Sequence, residues 1–271
     1  VGVLVIFSSI IGFFVMPIAF LLDRNIFALS SLQIGLLIGT GFVYALAIIP
    51  YLYTLKKEDT STIVPLWQLI PVFAYFLALI FLGETISWSN IFFATMIMVG
   101  ALGLTTDFSK IKLTFRKDIF GSMVLSSFLY AFNTMIFKVV AIDISFWQAV
   151  FWENTGIGMA GVIFLIFIKS YRLKFFDLFS KNKTIIISVN GINEIVNIVA
   201  KIIFNYVSLL IPLALAWAVN GIQPLFILAF GVILTLLFPR IFKEDISGKT
   251  FLKKLIFIIL ISVGVYFLGV S

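Results

Sequence analysis

Nine long apolar runs, separated by short charged segments, constrain this chain more than any other feature. A helix of about 20 residues crosses the hydrocarbon core of a bilayer, and there it pairs all its own backbone groups. The runs are Val1–Leu21, Leu32–Leu55, Ile63–Leu82, Ser89–Thr105, Ile119–Ala141, Phe146–Ile168, Thr184–Val207, Leu209–Phe238 and Leu255–Val270. None alternates polar and apolar residues as barrel strands do. The eighth is long and is expected to tilt. The last is short, with Lys253 and Lys254 placed to snorkel at its start. The expected fold is all-α: a polytopic membrane protein with nine visible transmembrane helices. Composition agrees, at 62% hydrophobic and 11% charged, where a soluble domain carries about 25% charged residues.

The chain has no cysteine and no histidine. That excludes disulfides, thiol chemistry, histidine metal ligands and histidine bases, and no metal or cofactor is implied. The net charge of +7 does not indicate nucleic acid, because the basic residues sit between spans. They also fix an orientation. One set of alternate loops holds Lys56, Lys57, Lys110, Lys112, Arg116, Lys117, Lys169, Arg172, Lys174, Lys181, Lys183, Arg240, Lys243, Lys249, Lys253 and Lys254, while the other holds Arg24. The first set is expected in the cytoplasm, with the visible N-terminus inside and the C-terminus outside a cell (cytoplasmic or inner) membrane. No charged segment precedes the first run, so a cleaved signal peptide is not supported.

Two stretches repeat each other. Tyr53 precedes Pro71 by the interval that separates Tyr206 from Pro224, and Pro71-Val-Phe73 parallels Pro224-Leu-Phe226. Similar turns follow, Glu84-Thr-Ile-Ser87 and Glu244-Asp-Ile-Ser247, and each copy closes on an apolar helix with Val99-Gly100 or Val263-Gly264. An odd number of spans between the copies inverts their directions. The expected organisation is a first repeat over 1–106 that lacks its first helix, a cytoplasmic linker over 107–117, and a second repeat of five helices over 118–271. The full protein would then hold ten helices in two inverted five-helix halves.

The segment Pro65-Leu-Trp-Gln-Leu-Ile-Pro71-Val-Phe, with Leu82-Gly83-Glu84 and Val99-Gly100, resembles the EamA domain of the drug/metabolite transporter superfamily. So does Val219-Asn-Gly-Ile-Gln-Pro224-Leu-Phe, with Glu244 and Gly264. The resemblance covers nearly the whole chain. It implies ten helices around a central cavity and the export or exchange of small metabolites. The chain departs from the family in lacking the first helix, and in loop charges that would put a complete chain's termini outside.

The seventh run carries Asn190, Glu194, Asn197 and Lys201 within an arc of about 60°. Such a stripe is costly in lipid and must face other helices or a wet cavity. Glu194, near mid-span, reads as a coupling group or a counter-charge for a cationic solute, or else as a charge locked by Lys138 or Lys201. Asn190, Asn193 and Asn197 would line a cavity wall or bond neighbouring helices. Their counterparts in the first copy are Leu37, Thr40, Gly41 and Tyr44, so solute selection should lie mainly with the second half. Glu153 is expected to pair with Lys138 on the preceding helix, or to touch solute. Pro71 and Pro224 are expected to kink their helices at matched places, with Trp67, Gln68, Trp217, Asn220 and Gln223 nearby. Gly35 with Gly39, and Gly156 with Ala160, suggest close helix contacts. Gly248-Lys249-Thr250 lacks the preceding glycine and strand of a phosphate-binding loop.

The function expected is that of a secondary transporter, a permease or exporter moving a small polar metabolite or amphipathic compound by alternating access, either driven by a proton or cation gradient or by facilitated flow. Its partners are the bilayer and a small-molecule substrate. The alternatives are an intramembrane enzyme acting on lipid or peptide, and a membrane scaffold that transports nothing.

Overall fold

Residues 2–82, 87–107, 114–185, 188, 190–218, 223–239 and 247–270 are described by a computed structural model. The chain runs through α1 (Gly2–Gly12), α2 (Val15–Leu22), α3 (Ser31–Thr54), α4 (Thr60–Ile63), a 3-10 turn (Val64–Leu69), α5 (Ile70–Leu82) and α6 (Trp88–Thr105). Two short strands, β1 (Thr106–Asp107) and β2 (Thr114–Phe115), pair antiparallel where the expected first repeat passes into the linker. Then come α7 (Lys117–Ala141), α8 (Phe146–Phe167), α9 (Lys169–Ile185), α10 (Gly191–Leu210), α11 (Leu213–Ala218), α12 (Gln223–Leu237) and α13 (Gly248–Val270).

Among the described residues, seven helical segments are long and apolar enough to cross a membrane: Gly2–Leu22, Ser31–Thr54, Val64–Phe81, Lys117–Ala141, Phe146–Phe167, Gly191–Leu210 and Gly248–Val270. Trp88–Leu104 and Gln223–Leu237 are apolar but shorter. The protein is therefore helical and multi-pass.

Several expected spans are broken or shifted, mostly at prolines. The run Leu209–Phe238 is not one helix. α10 continues to Leu210, Ile211 is extended at φ −132° and ψ 162°, and α11 starts after Pro212. Proline drives the residue before it out of the helical region. Asn220 and the rest of 219–222 lie outside the described residues. The third run opens with a 3-10 turn containing Pro65 before α5 begins. Pro71 stands second in α5, directly after the 3-10 turn Val64–Leu69, and Pro224 stands second in α12, directly after residues 219–222. A proline does lie inside α3, at Pro50.

The last span is longer than expected, starting at Gly248. Its lysines are held rather than snorkelling. Lys254 is 4% exposed and pairs with Asp59 at 2.9 Å, and Lys253 donates to Leu104 O at 3.1 Å. The seventh span starts later than expected, because α10 begins at Gly191 and the basic segment before it folds as α9. Glu84 and Glu244 lie outside the described residues.

The chain divides into two compact units. Unit 1 holds Val1–Ile49 and Phe132–Ile211, and unit 2 holds Pro50–Ala131 and Pro212–Ser271. Unit 1 has a core of Val15, Ala19, Ile26, Leu37, Phe137, Val140, Ala149 and Val150. Unit 2 has one of Ile63, Leu66, Ile97, Met123, Ile258, Ile261 and Val265. Lipid tails are as apolar as these side chains, so helices in a bilayer associate through close packing and buried hydrogen bonds. Both units show small residues at such contacts. In unit 2, a Cβ on Gly100 would lie 2.5 Å from Ile261 Cγ1, and one on Gly264 would lie 2.8 Å from Ile97 Cγ1. In unit 1, a methyl on Gly41 would overlap the Glu153 carbonyl, and one on Gly156 would overlap the Ile38 carbonyl. Gly35 and Gly39, expected at a contact, face open space.

Candidate functional site

Close approach of α3 and α8 at Gly41 and Gly156 brings the α3 backbone against a buried carboxylate. Glu153 is 1% exposed. Its Oε2 lies 2.9 Å from Lys201 Nζ of α10 and accepts from Asn205 Nδ2 at 3.0 Å. Its Oε1 accepts from Asn133 Nδ2 of α7 at 3.3 Å. Asn133 also donates to Thr40 O at 2.8 Å. The contact with Lys201 is ionic and not aligned as a hydrogen bond. The ammonium also sits 4.3 Å from the centre of the Tyr44 ring, a cation–π arrangement.

Five side chains from four helices thus enclose one buried charge pair. Two amides bond the carboxylate directly. Thr40 and Tyr44, the first-copy counterparts of Asn193 and Asn197, take part through a backbone carbonyl and a ring.

The expected pairing of Glu153 with Lys138 does not form. Lys138 instead donates to Ile211 O at 2.8 Å, where α10 ends. Its long chain reaches a carbonyl that no helical N–H satisfies. Glu194 is bound neither by Lys138 nor by Lys201. It accepts from Ser8 Oγ of α1 at 2.5 Å. α10 starts at Gly191, placing Glu194 in its first turn. Glu194 and Lys201 are seven residues apart, about 10 Å along the axis, so α10 carries two separate polar stations.

The α10 stripe divides accordingly. Glu194, Lys201, Asn205 and Ser208 share the inner face, Asn190 is half-buried, and Asn193 and Asn197 are exposed at its flank. On the opposite face Ile192, Ile195, Val196, Val199, Ile203 and Leu210 are exposed, an apolar stripe suited to acyl chains. Asn133 and Asn205 were missed in the sequence. Asn205 continues the i, i+4, i+7 spacing of the stripe and was legible. Asn133 stands alone in α7 and becomes significant only through its partners.

In unit 2, Trp67 stacks on Tyr51 with centroids 4.0 Å apart and meets Tyr130 at 5.4 Å. Its indole donates to Ser126 Oγ at 3.4 Å. Gln68 is buried beside it at 3% exposure. Trp217 is half-buried, Pro71 and Pro224 are buried, and Gln223 is exposed.

At the connection between α2 and α3, Gln148 Nε2 and Trp152 Nε1 donate to Asn25 O and Ile26 O at 2.7 and 2.9 Å. Asp23 accepts from the Asn25 backbone N–H at 2.8 Å. The Ser145 hydroxyl and this N–H hold the Asp23 carboxyl below its ordinary value.

No group of three or more acidic residues that could hold a metal occurs among the described residues. No curated protein matches the chain. Residues 2–106 do match the model of the EamA-like transporter family. Through that segment this multi-pass chain is similar to the EamA-like transporter family.

Proposed function

We propose that the protein is a secondary transporter moving a small polar metabolite or amphipathic compound across the cell membrane by alternating access, without chemical change to the solute. The observation that carries this reading is the EamA match over 2–106. The buried charge cluster supports it, because ionisable groups inside a bilayer default to solute or ion handling. In this reading Glu153 and Lys201 form the charged station. Uptake of a proton by Glu153, or arrival of a solute carboxylate at Lys201, loosens the pair and biases the conformational equilibrium. Glu194 with Ser8 forms a second station on the same helix. Asn190, Asn193, Asn197, Asn220 and Gln223, with Trp67, Gln68 and Trp217, are the remaining residues assigned to solute.

The inverted repeat is part of the proposal. The family match ends at residue 106, where the first repeat is expected to end. Pro71 and Pro224 open their helices at the same position. The contacts of Gly100 and Gly264 are reciprocal, each glycine meeting the residue three positions before the other. The basic loops are assigned to the cytoplasm.

The test is a thermal-shift screen of amino acids, nucleosides, sugars and organic cations on purified protein, since a ligand of the folded state raises its apparent stability. A stabilising compound is then taken into counterflow in proteoliposomes. Glu194→Gln should abolish or uncouple flux while folded protein remains in the membrane. Wild-type flux in that variant would remove Glu194 from the mechanism. If no compound moves with wild-type protein, the transporter reading fails.

A further inference from the structure

The helix α9 serves neither polar station, yet it has a definite chemistry. It joins two membrane spans, with a single residue, Ile168, between it and α8. It spans 17 residues, about 26 Å, and lies on the side of the bilayer that carries the basic loops. Its sequence holds Lys169, Arg172, Lys174, Lys181 and Lys183 against one acidic residue, Asp177.

Its inner side is occupied. The Tyr171 ring packs onto Gly2 of α1, Phe175 is half-buried, and Arg172 Nη1 donates to Ile166 O at 2.9 Å, near the end of α8. The outer side is different. Leu173 and Phe176 are each 58% exposed. They share an arc with exposed Lys169, and exposed Lys174 lies further round the helix.

Water alone does not suit that pair of apolar side chains, and hydrocarbon alone does not suit those lysines. The boundary between acyl chains and headgroups suits both. There the apolar side chains enter the acyl region while the lysine stems reach back to the headgroups. We propose that the outer face of α9 lies in the membrane interface and binds anionic phospholipid headgroups, with phosphatidylglycerol as the representative ligand. Charge selects the occupant: the face carries exposed Lys169 and Lys174 against exposed Asp177, a net positive charge, and the leaflet facing basic loops offers anionic headgroups.

The test is native mass spectrometry of the full chain with equimolar phosphatidylglycerol and phosphatidylcholine. Wild type should retain the anionic lipid preferentially. Each basic residue near a charged surface contributes roughly fivefold, so Lys169→Gln/Lys174→Gln should lower that preference by roughly 25-fold. The control Lys56→Gln/Lys249→Gln removes the same charge at exposed positions elsewhere and should keep the preference. Both variants should melt like wild type in phosphatidylcholine micelles. The proposal is overturned if the α9 variant retains the wild-type ratio, or if the control loses as much. It is also overturned if glycerol phosphate displaces the lipid, or if the face proves to bind a second copy, seen as a lipid-independent dimer lost on Phe176→Asn.

Discussion

At the scale of residues, the Glu153–Lys201 pair has a testable energetic signature. Removing one partner of a buried pair strands the other charge, at a cost of about 3–5 kcal/mol. Glu153→Gln and Lys201→Met should therefore each lower the melting temperature markedly. The combined variant should recover most of the loss, because the strandings cancel. Additive losses in the combined variant would mean that the two charges do not neutralise one another. Asp23 makes a pH prediction. Its folded value is lowered by Ser145 and the Asn25 N–H, so its stabilisation is complete above the ordinary aspartate value, about pH 4. It is lost as pH falls below that, through the lowered folded value. Asp23→Asn should lower stability at neutral pH, flatten the acid limb of stability against pH, and approach wild type in acid. An unchanged acid limb would show that these hydrogen bonds do not persist in solution. Glu153, Lys201 and Glu194 stand out in the sequence because apolar spans make any charge conspicuous. Which charge meets which was not legible. Lys138 and Glu153 sit at similar depths from one turn, but depth says nothing of azimuth, and Lys138 turns to Ile211 O instead.

At the scale of elements, helix contacts follow where a Cβ would fit. Gly41→Ala and Gly156→Ala should each destabilise unit 1 by about 1–3 kcal/mol or more, since backbone atoms occupy the space. Gly35→Ala, facing open space, should be neutral or mildly stabilising, because alanine is the better helix former. Thermal unfolding of the three variants separates them; equal effects would contradict the packing. Both glycine pairs have the spacing of a close contact, so spacing alone could not separate them. The breaks at Pro65 and Pro212 could be read from the residues, whereas hydropathy had smoothed them into single spans. α9 was hidden for the opposite reason: five basic residues resemble a loop on a hydropathy scale, while its inward Tyr171 and outward Leu173 and Phe176 need a helix to make sense.

At the scale of the whole molecule, the expected repeats are continuous stretches of sequence, and the compact units are not. Unit 1 takes residues from both repeats, and so does unit 2, the chain crossing between Ile49 and Pro50, Ala131 and Phe132, and Ile211 and Pro212. Hydropathy finds spans and similarity finds repeats, but neither reports which helices pack together. That choice rests on features such as Gly41 against Gly156. The central claim is that a solute crosses the bilayer by way of the charged station in unit 1. Its most direct test is counterflow of a stabilising compound in proteoliposomes, comparing wild type with Glu153→Gln/Lys201→Met. The predicted result is rapid exchange by wild type and none by the folded double variant. Exchange at the wild-type rate by the double variant would contradict the claim.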